Sequence, residues 1–265
     1  MHLQPIKSHS EDSGILQFNP YGTGPVVFVC EHANNFIPEE FMNLGLDSKA
    51  QASHIAWDLG ALPVAKALAV EFDGILLAPG VSRLVCDCNR PTTARNAVLE
   101  RSEGYDIPGN MGLSDAERTY RAERYHIPYH NALASSIETA LSAGRLPAVV
   151  SIHSFTPVYH GVPRAFDLGI LHDRDSRLAN EIFALANSEG DLAVCMNEPY
   201  DADDGVTFTL AEHALPRGLL NVMIEIRNDL IEDAPSQKAM AERLAGYMKF
   251  ALKTLGDGRA PKNDR

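Results

Sequence analysis

The chain has 265 residues, is 45% hydrophobic and 22% charged, and carries a formal net charge of −12, which is ample apolar material for one large α/β core. The acidic balance and the lack of any Lys/Arg cluster oppose nucleic acid and anionic membranes as partners. There is no apolar run of about 18 residues to span a membrane. The polar stretch Met1 to Ser13 does not read as a signal peptide. Cys30, Cys86, Cys88 and Cys195 have neither disulfide-framework nor zinc-finger spacing, so reduced thiols in the cytoplasm are expected.

Met1 to Gly24 reads as a polar lead-in with a turn at Asn19-Pro20-Tyr21-Gly22. Pro25 to Cys30 is a continuous apolar run, the pattern of a strand buried on both faces, and it ends on Glu31-His32. Between Ala50 and Phe72, the residues Ile55, Leu59, Leu62, Leu68 and Phe72 recur at helical spacing. Pro63 divides that stretch into two pieces, and Asp58 stands just ahead of the second. Gly74 to Ala78 predicts a strand. Arg83 to Val85 alternates like another before the polar Asp87-Cys88-Asn89-Arg90-Pro91, and Thr92 to Met111 is loop-rich.

Ser114 and Glu117 form a capping-box pattern that opens a helix running towards His126. Pro128 interrupts it, and a further helical stretch reaches Ala143. Ala148 to Phe155 predicts a buried, β-branched strand that holds His153. Strands over Ala165 to His172 and Leu192 to Met196 flank a helix over Ser176 to Ala186, and Asn197 to Gly205 reads as an acidic loop. Leu219 to Ile226 is the last apolar strand, with Glu225 inside it. A closing helix covers Ala234 to Leu255, and Gly256 to Arg265 is a polar tail. The alternation predicts a single three-layer α/β/α domain over residues 1–265 with a mostly parallel sheet.

In such sheets ligands sit beyond the carboxyl ends of the strands, where His32 and His153 fall. Two imidazoles and a carboxylate, here Asp58, are a common ligand set for catalytic zinc. His54 and Glu31 compete with Asp58 for the third place. Glu225 is costly in an apolar strand unless it is used or paired. It is the candidate general base, with a salt bridge to Arg227 as the plain alternative. Arg83 and Arg90, with Asn89 and Arg227, offer donors for a substrate carboxylate. His130 and His213 are the further histidines to consider at the site, with a structural role as the plainer reading of each.

No G-x-G-x-x-G follows a strand, which opposes a dinucleotide enzyme. Ser154 lacks the G-x-S-x-G elbow of a serine hydrolase. A Cys-dependent amidase using Cys30, and a non-catalytic small-molecule-binding protein on the same fold, are the competing readings.

Phe28-Val29-Cys30-Glu31-His32-Ala33 through Ile37-Pro38, Ser82-Arg83 through Asp87-Cys88-Asn89-Arg90, Ser151-Ile152-His153-Ser154 and Ile224-Glu225-Ile226-Arg227-Asn228-Asp229-Leu230 resemble the N-formylglutamate amidohydrolase family. Asn197-Glu198-Pro199-Tyr200 with Thr207 and His213 resembles a further block. The resemblance spans about Val26 to Leu230. It implies a zinc-exopeptidase-like amidohydrolase fold, a divalent metal (zinc first), and hydrolysis of a small anionic N-acyl amino acid such as N-formylglutamate. A more distant likeness to zinc N-acetylmuramoyl-L-alanine amidases implies the order His32, Asp58, His153 for metal and Glu225 for the base. The chain departs from the pattern at Glu31-His32-Ala33-Asn34, which lacks the glycine usual in that turn.

Overall fold

The computed structural model describes residues 14–200 and 205–256. The predicted tail, most of the lead-in and the middle of the acidic loop therefore lie outside the described residues. Seven strands form the main sheet in the order β1 (Ile15–Phe18), β3 (Ile75–Pro79), β2 (Val26–Val29), β6 (Ala148–Phe155), β11 (Asn221–Arg227), β9 (Leu168–Leu171) and β10 (Val194–Met196). Two short hairpins stand apart, β4 (Arg101–Ser102) with β5 (Tyr105–Asp106), and β7 (Val158–Tyr159) with β8 (Val162–Pro163). The central run β3-β2-β6-β11 is parallel. Antiparallel pairs bound it, with β1 on β3 and β9 on β11, and β10 then lies parallel to β9.

Alternation along the strands builds both cores. Val26 and Phe28 face one side with Leu76, Val150, Ile152 and Ile224, and there meet α2 (Ala61–Glu71), α5 (Arg177–Glu189) and α7 (Ala234–Leu255). Val27 and Val29 face the other side with Leu77, Val149 and Met223, and meet α4 (Ile127–Ser142) and α6 (Phe208–His213). Side chains as buried as Phe28 and Ile152 each contribute about 1.5–3 kcal/mol of transfer free energy. A third apolar cluster, with Leu44, Ile55, Leu84, Val85 and Ile107, lies under the loops; it includes Ala50 of α1 (Ser48–Ala52) and Tyr125, which follows α3 (Asp115–Arg121). Among the described residues, no helix is long and apolar enough to cross a membrane.

Three local expectations change. The lead-in contains an edge strand, β1. Arg83 to Val85 forms a turn, because Ser82 accepts from Leu84 N–H through its hydroxyl and from Val85 and Cys86 N–H through its carbonyl. The apolar residues there feed the loop cluster and not the sheet. Pro128 does not interrupt the helix. A π-turn over Ala122–His126 precedes α4, and Pro128 falls in the first turn of α4, where proline is tolerated. The strand β9 runs against its neighbour β11, a direction that residue pattern does not encode. The capping box of Ser114 and Glu117 forms as expected.

Candidate metal centre

The central strands deliver two of the residues directly. His153 lies in β6, and its Cα partner across the parallel ladder is Glu225 of β11. The strand β2 ends at Val29, and Glu31 and His32 turn out beyond it. Asp58 sits in the loop before α2. Its backbone N–H donates to His32 O at 2.9 Å, and its Oδ2 accepts from Ser154 N–H at 3.2 Å. One short segment thus ties the end of β2 to β6.

His32, Asp58 and His153 are buried, and each offers a ligand atom within 4.8 Å of the others. Asp58 Oδ2 lies 2.7 Å from His153 Nδ1 and 3.4 Å from His32 Nδ1. His32 Nδ1 is buried with no hydrogen-bond partner. The outward nitrogens are each held by a further acid: His32 Nε2 by Asp87 Oδ1 at 2.9 Å, and His153 Nε2 by Glu31 Oε2 at 3.0 Å. Ser151, on the same face of β6 as His153, donates to Glu31 Oε2 at 2.7 Å. Nδ1 atoms facing inward with carboxylates behind both rings are the outer-shell pattern of metal-binding histidines. A divalent metal fits this donor set, since the orphaned His32 Nδ1 and the shared Asp58 oxygen converge on one point.

Burial opposes every charge here, yet its effect is reversed in most cases. Hydrogen bonds from His153 and Ser151 hold the Glu31 carboxyl down at about 2. Asp58 is held far below the usual carboxylate range against burial by His32 and His153, and Asp87 by His32 and Arg83. Hydrogen bonds to Asp58 and Glu31 overcome burial at His153 and keep it well above the ordinary imidazole value. Glu225 is the exception. Burial, reinforced by Asp58, pushes it up to about 7 against His153, His32 and Arg83, and its Oε2 has no partner.

The residues that sequence reasoning placed least well are Glu31, which entered only as an alternative ligand, and Asp87, which entered only as part of a polar run. Glu31 carried a signal, an acid next to a histidine at the end of a buried run, and Asp87 carried none, since 55 residues separate it from His32. Asp87→Asn is expected to weaken metal binding about 10–100-fold without abolishing it. Competition titration with a chelating dye checks this, and unchanged affinity would remove Asp87 from the centre.

A cavity of about 250 Å³ opens beside the cluster, lined among others by Arg83, Arg90, Tyr159, Tyr200 and Glu225. Arg83 reaches Asp58 at 3.7 Å and Asp87 at 3.3 Å, and Arg90 Nε is 4.0 Å from Asp87. Asn89 also lines the cavity, but its amide donates to Val206 O and accepts from Thr209 N–H at 3.1 Å and Thr209 Oγ1 at 3.0 Å, which leaves it a pin for the loop.

Arg227 is not brought to the cavity. It lies two residues past Glu225, roughly 7 Å along the strand, where Asp167 at 2.7 Å and Asp229 at 2.8 Å take its guanidinium. It is therefore not placed to bind substrate. His54 pairs with Glu103 at 2.5 Å on the cavity wall, outside the ligand set. Cys30 packs into the core, and burial raises its thiol far above the ordinary value, so it is no nucleophile. Ser154 Oγ donates to Leu59 O at 2.8 Å.

His130 and His213 line a separate surface depression with His126. Burial lowers His130 to about 3 and His213 to about 4. Both are neutral in the folded chain, whereas an unfolded histidine titrates near about 6.5. As pH falls below about 6.5, the unfolded state takes up protons that the folded state refuses, so stability drops progressively towards pH ~4. Urea midpoints measured across that window are expected to fall, and less steeply in His213→Gln.

Fold and site together define an α/β protein with a buried His-Asp-His cluster able to hold a metal ion and, alongside it, a buried carboxylate, Glu225, with one oxygen unpartnered. The sequence matches the N-formylglutamate amidohydrolase family over residues 24–232, and the chain belongs to that family. The crystal structure of gene product Atu2144 from Agrobacterium tumefaciens is similar at 48% identity and a TM-score of 0.89, covering 92% of this chain and 96% of that one. An N-formylglutamate amidohydrolase from Ralstonia eutropha JMP134 shares the fold at 21% identity and a TM-score of 0.56, over 91% of this chain and 98% of its own. No curated protein matches the chain significantly.

Proposed function

We propose that the protein is a metal-dependent amidohydrolase that cleaves the amide bond of a small anionic N-acyl amino acid, with N-formyl-L-glutamate as the first substrate to test. The observation that carries this reading is the convergence of His32 Nδ1, Asp58 Oδ2 and His153 Nδ1 beside a buried carboxylate, Glu225, that has no partner for Oε2. His32, Asp58 and His153 would hold the metal, for which zinc suits two imidazoles and a carboxylate. When bound, zinc acidifies a water and polarises an amide carbonyl.

The remaining work falls to the chain. Glu225 takes the proton of the attacking water and returns it to the leaving amine. Its upward-shifted carboxyl suits both halves of that task near neutral pH. Arg83 and Arg90 grip the substrate carboxylate, their charge lowering the cost of an anion in an acidic protein. Glu31 and Asp87 orient the two imidazoles. The free thiols of all four cysteines suit a cytoplasmic setting, and neither nucleic acid nor membrane is a proposed partner.

The deciding experiment pairs metal analysis with hydrolysis of N-formyl-L-glutamate before and after chelation. About one metal per chain and hydrolysis that stops on chelation and returns with zinc are expected. Hydrolysis that survives complete metal removal would overturn the mechanism. In the same assay Arg90→Ala should raise KM about tenfold or more with kcat little changed, and an unchanged KM would make Arg90 a purely structural residue.

A further inference from the structure

We propose that His126 and His130 are positioning residues that clamp the backbone of the Cys88–Arg90 segment and so set the place of Arg90 in the cavity, with His213 fixing the tautomer of His130. The inference rests on the function proposed above. Cys88 to Arg90 belongs to no helix or strand, so its buried carbonyls need partners from elsewhere. Two imidazoles supply them. His130 Nε2 lies 2.8 Å from Cys88 O, and His126 Nε2 lies 2.9 Å from Arg90 O. Between those two carbonyls, the Asn89 side chain is pinned to Val206 and Thr209. All three residues of the segment are thereby fixed from the α4 and α6 side.

The direction of each hydrogen bond is determined. A carbonyl only accepts, so His130 Nε2 carries the proton and its Nδ1 is the bare acceptor. His213 Nε2, 2.7 Å from that Nδ1, must then donate. His213 Nδ1 is left bare, in keeping with its being buried without a hydrogen-bond partner. The rings are packed to hold this arrangement. His130 and His213 stack at 5.0 Å and 9°, His126 lies 4.2 Å from His130, and Phe208 closes on both. A neutral, one-way ladder thus ends on the carbonyl next to Asn89. The segment follows directly on Asp87, which orients His32, so the clamp secures the arginine and the histidine's partner together.

The test uses the zinc-loaded protein with His130→Phe, which keeps a ring but no donor, and His130→Gln, which keeps one donor and one acceptor. His130→Phe is expected to raise KM for N-formyl-L-glutamate about tenfold with kcat within about threefold, and to speed amide hydrogen exchange at residues 86–92. His130→Gln should recover most of both. Unchanged KM and unchanged exchange in His130→Phe would overturn the clamp. A general loss of exchange protection with kcat falling as much as KM rises would overturn it in favour of a merely structural histidine. If His130→Phe does not fold, His126→Phe takes the same measurements. Should the wild type fail to hydrolyse N-formyl-L-glutamate, the functional reading fails, and the exchange at 86–92 still decides the clamp.

Discussion

Glu225→Gln is expected to lower turnover of N-formyl-L-glutamate by about 10²–10⁴-fold while the protein keeps its metal. The substitution preserves shape and removes only the ability to take a proton. Glu225 is not in the His32–Asp58–His153 set, so metal content should not change. Stability should hold or rise, because a buried carboxylate with an unpartnered oxygen is a cost to the fold that a neutral amide reduces. The signature is thus a dead enzyme that is loaded with metal and at least as resistant to heat as the parent. Full activity in this variant would remove Glu225 from the chemistry. Loss of metal would move it into the ligand set.

His153→Ala is expected to act in the opposite way on stability. His153 bridges Asp58 and Glu31 at 2.7 and 3.0 Å, and both acids are buried. Without the imidazole, two carboxylates face each other in the interior with their common partner gone. Breaking a buried pair of this kind costs about 3–5 kcal/mol. The variant should retain no metal after dialysis, should have no measurable hydrolysis, and should unfold at distinctly lower urea than the parent. Metal content equal to wild type would sink the ligand role of His153, whatever the activity. The two variants separate the proposed parts, because one loses chemistry without stability and the other loses both.

What the sequence disclosed follows from where hydrophobic patterning is strong. Val26 to Val29, Ala148 to Phe155 and the Ala234–Leu255 helix are read without ambiguity, because each must bury a continuous apolar surface. The same logic singles out the polar residues inside or just beyond such runs, which is how His32, His153 and Glu225 come to notice. Asp58 is legible only by its place ahead of a helix. The edge strand β1 hides in a polar lead-in because one of its four residues is exposed and the rest are half-buried. Arg83 to Val85 imitates a strand because Leu84 and Val85, buried in a loop cluster, make the same short apolar run as residues buried in a sheet. Arg227 misleads for a related reason: sharing Glu225's face does not mean sharing its cavity. Asp87 cannot be assigned from sequence at all, since its link to His32 joins residues 55 apart.

The ladder between β6 and β11 has a consequence for how such a protein diversifies. His153 and Glu225 face each other across backbone hydrogen bonds at the middle of the sheet, whereas Arg90, Tyr159 and Tyr200 reach the cavity from the loop after Arg83, the β7–β8 hairpin and the segment after β10. On the proposed function, the reactive pair sits on the sheet and Tyr159 and Tyr200 sit on segments apart from it, while Arg90 shares its loop with Asp87, the partner of His32. On that same function, libraries that randomise the β7–β8 hairpin and the segment after β10, and leave Asp87 and its loop intact, should yield catalysts for new acyl amino acids at unaltered chemistry, while a single-residue insertion in β11 would turn Glu225 to the opposite face and end catalysis outright.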